Sequence, residues 1–176
     1  GSINFESKEV TFVLDNKNIP IDVSFKSLLS TNHLIEEFML LANKTVASHA
    51  GINKKTASIY RVHDKPDKEK IAVLSNIVKG FGHSFNASSK NLSSSLNALL
   101  SAVKGKKEQR LVETLTIRSM AKAVYATKNI GHYGLAFNNY SHFTSPIRRY
   151  PDLIIHRILE KQLLKKPPLS VGFLDD

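Results

Sequence analysis

The sequence predicts an α+β fold that is predominantly helical, with an N-terminal β-hairpin followed by helices and short strands. Three observations predict it. Residues 3–24 alternate apolar and polar side chains about the turn-forming run Asp15-Asn16-Lys17-Asn18, the period-two pattern of paired strands. From Ser30 onward, apolar residues recur at helical spacing in successive segments. Those segments are punctuated by Gly80, Gly105 and Pro167-Pro168 rather than by long linkers, so one domain or most of one is expected.

The elements follow in order. In the hairpin Val10, Phe12 and Leu14 share one side, and the chain returns through Ile19, Ile21 and Val23. Ser30 or Thr31 offers an N-cap for a helix running to about Ser48. Leu34, Ile35, Phe38, Met39, Leu40, Leu41, Ala42 and Val46 cover most of its circumference, which predicts burial on several sides. Glu36 and Glu37 stand out there, because adjacent carboxylates on a buried helix cost free energy unless a charged or hydrogen-bonding group meets them. Residues 57–63 read as a short strand. Pro66 at a first helical position, Asp67 and Glu69 in the first turn, and Gly80 at the end delimit a second helix.

A Ser/Asn-rich entry at 84–95 leads to Leu92, Leu96, Leu99, Leu100 and Val103 at helical spacing, with a stop at Gly105. A fourth helix is predicted over about 107–125 with Leu111, Leu115, Met120 and Val124 inward. Residues 129–137 carry the glycines of a close-approach loop and a short strand. Thr144 or Ser145 then caps a last helix with Pro146 at its first position. Pro151 falls five residues further in, which predicts a kink before the helix continues through Leu153, Ile154, Ile158 and Leu163.

Composition narrows the partners. The 176 residues are 41% apolar, enough for a real core. Gly1 and Ser2 read as the remnant of a cleaved purification tag, leaving 3–176 as the natural segment. No apolar run reaches the roughly 20 residues of a bilayer span, so no membrane is expected. Cysteine is absent, which excludes disulfides and thiolate metal sites and makes a cytoplasmic location the simplest reading. Twenty-five Lys and Arg against fifteen Asp and Glu give a net charge of +10, the balance of a chain that sits beside polyanions or of one with a solvated basic face.

Residues 144–149, Thr-Ser-Pro-Ile-Arg-Arg, concentrate the chemistry. A helix start displays free N–H groups and a positive dipole end, and here two hydroxyls and two guanidinium groups join it. Such a group can hold phosphate oxygens bidentately and offset the charge that builds up during displacement at phosphorus. The competing reading pairs Arg148 with Asp152 four residues on and leaves Arg149 on a solvated face.

The segment 130–159, Ile-Gly-His-Tyr-Gly-Leu-Ala-Phe-Asn-Asn-Tyr-Ser-His-Phe-Thr-Ser-Pro-Ile-Arg-Arg-Tyr-Pro-Asp-Leu-Ile-Ile-His-Arg-Ile-Leu, resembles the signature of the RNase R/RNase II (RNB-domain) exoribonucleases. Three other segments resemble the same family in the same order: 34–43, 60–63 and 118–125. The Arg-Arg-Tyr-Pro-Asp form is similar to RNase R rather than RNase II. The resemblance implies the later part of a catalytic domain that processively hydrolyses single-stranded RNA from its 3′ end, with magnesium, to nucleoside 5′-monophosphates.

Residue by residue, Arg148 matches the family's catalytic arginine. Glu37 matches an acidic residue near the 3′-terminal nucleotides, where a carboxylate can accept from a ribose 2′-OH; Glu36 is the alternative. Phe5 matches an aromatic that closes a base stack, or is a hairpin core residue. His142, Thr144 and Ser145 are phosphate-loop neighbours, or serve as structural caps, and Arg149 is an RNA-binding candidate or lies on a solvated face.

The family's magnesium is held by clustered aspartates that this chain lacks: Asp15, Asp22, Asp64, Asp67, Asp152, Asp175 and Asp176 are scattered. No metal site is expected here, and the family's active-site tyrosine and OB-type RNA-binding domains are absent too. The isolated segment is therefore expected to be inactive, with the N-terminal remainder of the same protein as its natural partner. The rival expectation is a non-catalytic RNA- or protein-binding module that keeps the fold.

Overall fold

The structure is a computed structural model that describes residues 2–3, 9–26, 29–52, 57–88, 91–170, 172 and 174. Its opening hairpin pairs β1 (Glu9–Leu14) with β2 (Pro20–Lys26) antiparallel, placing Val10 opposite Phe25 and Phe12 opposite Val23. The turn closes where the sequence predicts. Asp15 Oδ1 accepts the N–H groups of Lys17 and Ile19, each at 2.8 Å, and Asn18 takes the left-handed conformation that asparagine tolerates.

The first helix, α1 (Ser30–Ile52), is longer than expected and buried less. Asn43, Ala47 and Ala50 are buried, but Phe38 is 60% exposed and Leu34, Ile35 and Leu41 are similarly open. An apolar circumference signals that a helix is built to be covered, and among the described residues only its second half is. The expected burial of Glu36 and Glu37 fails for the same reason, since both are exposed.

Three helices make the main core. Helix α2 (Lys68–Gly80) is capped by Asp67, whose Oδ1 accepts from Glu69 and Lys70; Pro66 lies just outside the helix rather than at its first position. Helix α3 (Leu92–Val103) is capped by Asn91, and α4 spans Gln109–Ser119. Ile71, Leu74 and Val78 of α2 pack with Phe85, with Leu96, Leu99 and Val103 of α3, and with Val112 of α4.

The fourth helix ends well before residue 125, and its inward face is the expected one only in part: Leu115 and Met120 pack against the core. Val112, Thr116 and Ser119 are buried whereas Leu111 and Val124 are exposed. Strand pairing decides the boundary: β3 (Tyr60–Val62) and β4 (Val124–Ala126) form a second antiparallel sheet, with Arg61 opposite Tyr125. A β-branched and an aromatic residue at 124–125 favour the strand.

After β4 comes a 3-10 turn at Tyr133–Leu135, then an irregular segment, then α5 (Tyr150–Leu163). Pro151, not Pro146, sits in the first turn of α5, where its missing N–H does no harm, so no kink is needed. Residues 146–148 form a separate turn. Ile154, Ile155 and Ile158 of α5 build a second cluster with Val46 of α1, Ile59 and Phe143. None of the described helices is long and apolar enough to cross a membrane.

Candidate active site around Arg148

Residues 140–149 are irregular, and polar groups from α1, the β3 segment and α5 hold them. Tyr140 O accepts the N–H of Arg61 at 2.9 Å, continuing the β3 edge, and Ser141 Oγ donates to Ile59 O at 2.6 Å. Asn43, fully buried on α1, donates to the Tyr140 hydroxyl at 3.1 Å and accepts the Phe143 N–H at 2.9 Å. The Phe143 carbonyl lies 2.9 Å from His156 Nε2. A carbonyl can only accept, so that nitrogen carries the proton. The two rings stack with centroids 4.2 Å apart.

The next turn separates the two arginines. Both the Arg148 and Arg149 N–H groups point to Ser145 O, at 3.3 and 3.2 Å. Arg149 then folds inward: its Nε and Nη2 donate to Asp152 Oδ2 and Oδ1 at 2.9 and 2.8 Å. Asp152 Oδ1 also accepts the Ser145 N–H at 2.9 Å. Arg148 is exposed, and its guanidinium makes no hydrogen bond or ion pair with the described residues. The expected alternative pairing is thus exchanged: Asp152 takes the arginine three residues before it, and the one four residues before it stays free.

A second row of side chains backs the turn. The Arg61 guanidinium lies over the Tyr125 ring, 4.7 Å from its centroid, and the Tyr125 hydroxyl is 2.7 Å from His142 Nδ1. Burial first, and then the Arg149 cation, hold the His142 imidazole down at about 4, with Arg61 and Arg148 adding to the effect. His142 is therefore neutral at pH 7. The Asp152 carboxylate works against the cations, so burial is the main cause.

Behind it His63 joins three segments. Its Nε2 donates to Ala121 O at 2.7 Å while its Nδ1 accepts the Gly134 N–H at 2.8 Å. His132, whose ring centroid is 5.0 Å from that of His63, accepts the Leu135 N–H at Nδ1 and is also depressed to about 4, by burial and then by its neighbour's charge.

The remaining expected site residues fall as follows. Thr144 Oγ1 is buried and makes no hydrogen bond among the described residues. Ser145 receives a side-chain acceptor through its N–H rather than supplying a cap, because Arg149 occupies the N-cap of α5. Glu37 is exposed on α1, and no hydrogen bond or ion pair among the described residues joins it to the 140–152 segment; beside it Glu36 lies 3.7 Å from His33. Phe5 lies outside the described residues.

Asn43, Arg61 and Tyr125 went unnoticed as site residues. An apolar helix hides the asparagine, and nothing in a three-residue strand marks its outward arginine. Among the described residues no three His, Cys, Asp or Glu side chains gather where they could hold a metal ion, and Asp152 is committed to Arg149. The donor set here does not fit a magnesium pair.

The RNB domain family model matches residues 1–165. The chain belongs to the RNB-domain family. Ribonuclease R of Aquifex aeolicus is 40% identical over 166 residues, which cover 93% of this chain and 23% of that protein. Mycoplasma genitalium RNase R in complex with ribose-methylated single-stranded RNA superposes with a TM-score of 0.80 at 35% identity, over 93% of this chain and 26% of that one. Yeast Ssd1, a pseudonuclease, superposes with a TM-score of 0.64 at 26% identity, over 79% of this chain and 18% of that one. This RNB segment therefore spans about a fifth to a quarter of the length of the curated relatives it matches.

Proposed function

We propose that this segment is the arginine-bearing part of the catalytic domain of a 3′→5′ exoribonuclease that hydrolyses single-stranded RNA processively to nucleoside 5′-monophosphates. The observation that carries the reading is the exposed Arg148 guanidinium, standing on a turn flanked by Phe143, Ser145 and Arg149, each hydrogen-bonded in place. Arg148 offers the scissile phosphate a planar pair of donors and faces the charge that develops on its oxygens. Arg61 and Arg149 set the surrounding positive potential. Neutral His142 presents a hydrogen-bonding edge without competing for the anion.

Magnesium is the proposed cofactor of the whole protein, with its ligands contributed from outside this segment. Glu37 and Phe5 are proposed to meet the terminal ribose and a stacked base, and Thr144 and Ser145 to line the phosphate path.

Replacing Arg148 with Ala in a full-length protein carrying this segment tests the reading. Turnover of a labelled oligoribonucleotide should fall roughly 100-fold or more, with RNA affinity nearly unchanged. Equal loss of both would make Arg148 a binding residue only. The segment by itself should release no nucleotide from that substrate.

The likeness to a pseudonuclease supports a second reading, an RNA- or protein-binding module without chemistry. Under it the full-length protein binds single-stranded RNA, with log affinity falling about 0.7 per log unit of salt for each phosphate neutralised, and leaves the RNA intact.

A further inference from the structure

We propose that Asp152 is a positioning residue for Arg148: it folds residues 145–149 into a turn that holds Arg149 inward and leaves Arg148 as the free guanidinium. The inference rests on the reading of Arg148 as the phosphate-binding group.

The Asp152 carboxylate is wholly buried, which is costly for a charge unless donors surround it. Three do: the Ser145 N–H and two N–H groups of Arg149. They close the turn from both ends. Asp152 fixes the Ser145 nitrogen, the Ser145 carbonyl receives the N–H groups of Arg148 and Arg149, and the Arg149 side chain returns to Asp152. Arg148 lies inside this closed circuit, its backbone N–H tied to Ser145 O and its side chain left outside the bonding.

The same circuit keeps the site's charge available. Asp152 stands in the first turn of α5, and Arg148 lies in the separate turn before that helix. Arg149 occupies both carboxylate oxygens with a planar fork that lysine cannot reproduce. With the fork filled, the carboxylate does not draw in Arg148. Without Arg149, the buried Asp152 carboxylate loses two of its three donors.

The test uses steady-state hydrolysis of a labelled single-stranded oligoribonucleotide by the full-length protein and its Arg148→Ala, Asp152→Asn and doubly substituted forms. Asp152→Asn should lower kcat about 10- to 100-fold with KM changed less than about threefold, the penalty of a displaced catalytic group. In the Arg148→Ala background it should lower kcat no further. Losses that multiply, or a loss confined to KM, would overturn the proposal.

Should Asp152→Asn fail to fold, Arg149→Lys keeps the charge and removes the fork, and the same non-additivity with Arg148→Ala is expected. If Arg148→Ala leaves turnover unchanged, the reading of Arg148 itself falls and takes the role of Asp152 with it. If Arg148→Ala is impaired and the losses multiply, only the role of Asp152 falls.

Discussion

The buried Asn43 on α1 accepts the backbone N–H of Phe143, a residue 100 positions later in the chain, at 2.9 Å. Its other edge meets the Tyr140 hydroxyl. One carboxamide thus fixes both ends of a four-residue stretch leading into the Arg148 turn. Asn43→Ala should cost about 1–3 kcal/mol, the penalty for leaving buried donors and acceptors unpaired. Urea denaturation of the chain reads it, and an unchanged midpoint would show that the vacated space rehydrates freely.

Gly134 carries a steric demand. A Cβ there would lie 3.1 Å from His63 Nδ1 and 3.2 Å from Cε1, on the ring that accepts its own N–H. Gly134→Ala should therefore destabilise by about 1–3 kcal/mol through overpacking. Gly80, with open space where its Cβ would go and a helical position, should tolerate alanine. Thermal melts of the two variants should diverge; equal melting temperatures would contradict the packing around His63.

Two histidines make stability depend on pH. His132 and His142 are each held at about 4 when folded, against 6.5 in the absence of the fold. Between those values the unfolded chain binds more protons, so stability rises with pH there. Their contribution is fully present above about 6.5 and is lost as pH falls through about 4. Melting temperature should drop from pH 7 to pH 4, and a His132→Gln, His142→Gln double variant should show a shallower drop. An identical slope in that variant would remove these residues from the account.

Apolar residues on α1 and α5 have opposite fates. Ile155 is buried in the second cluster, so Ile155→Ala should cost about 2–5 kcal/mol. Phe38 is exposed, so Phe38→Ser should change stability by no more than about 0.5 kcal/mol. Substitution at Phe38 should instead reduce binding of an apolar dye by the isolated chain, because Leu34, Ile35 and Leu41 lie open with it. A costly Phe38→Ser would mean that this face packs against the chain itself.

Elements whose signals are local were legible in the sequence. The hairpin turn, α2 up to Gly80, and α3 with its stop before Gly105 follow from spacing and punctuation, whereas the start of α2 lies at Asp67 rather than Pro66. The failures came where a distant partner decided. Residues 120–125 continue a helical apolar pattern, yet Tyr60–Val62 claims Val124–Ala126 as a strand. At Pro146 and Pro151 two prolines compete for one helix start, and the Arg149–Asp152 fork resolves it in favour of the later one. The family was readable because a long specific run carries it. That Arg149 is spent on Asp152 was not, since spacings of three and four residues are both compatible with pairing.

The bonds that assemble the site set an order of folding. Val112 and the α2–α3 core join neighbours in sequence, whereas the Arg148 segment is tied to the rest by contacts spanning 71 to 100 residues: Gly134 to His63, Ser141 to Ile59, and Phe143 to Asn43. Closing such long loops is entropically slow, so the helical core nucleates first and the Arg148 segment docks onto it last. What docks last opens first. Amide exchange should therefore run faster through residues 140–149 than through α2 and α3.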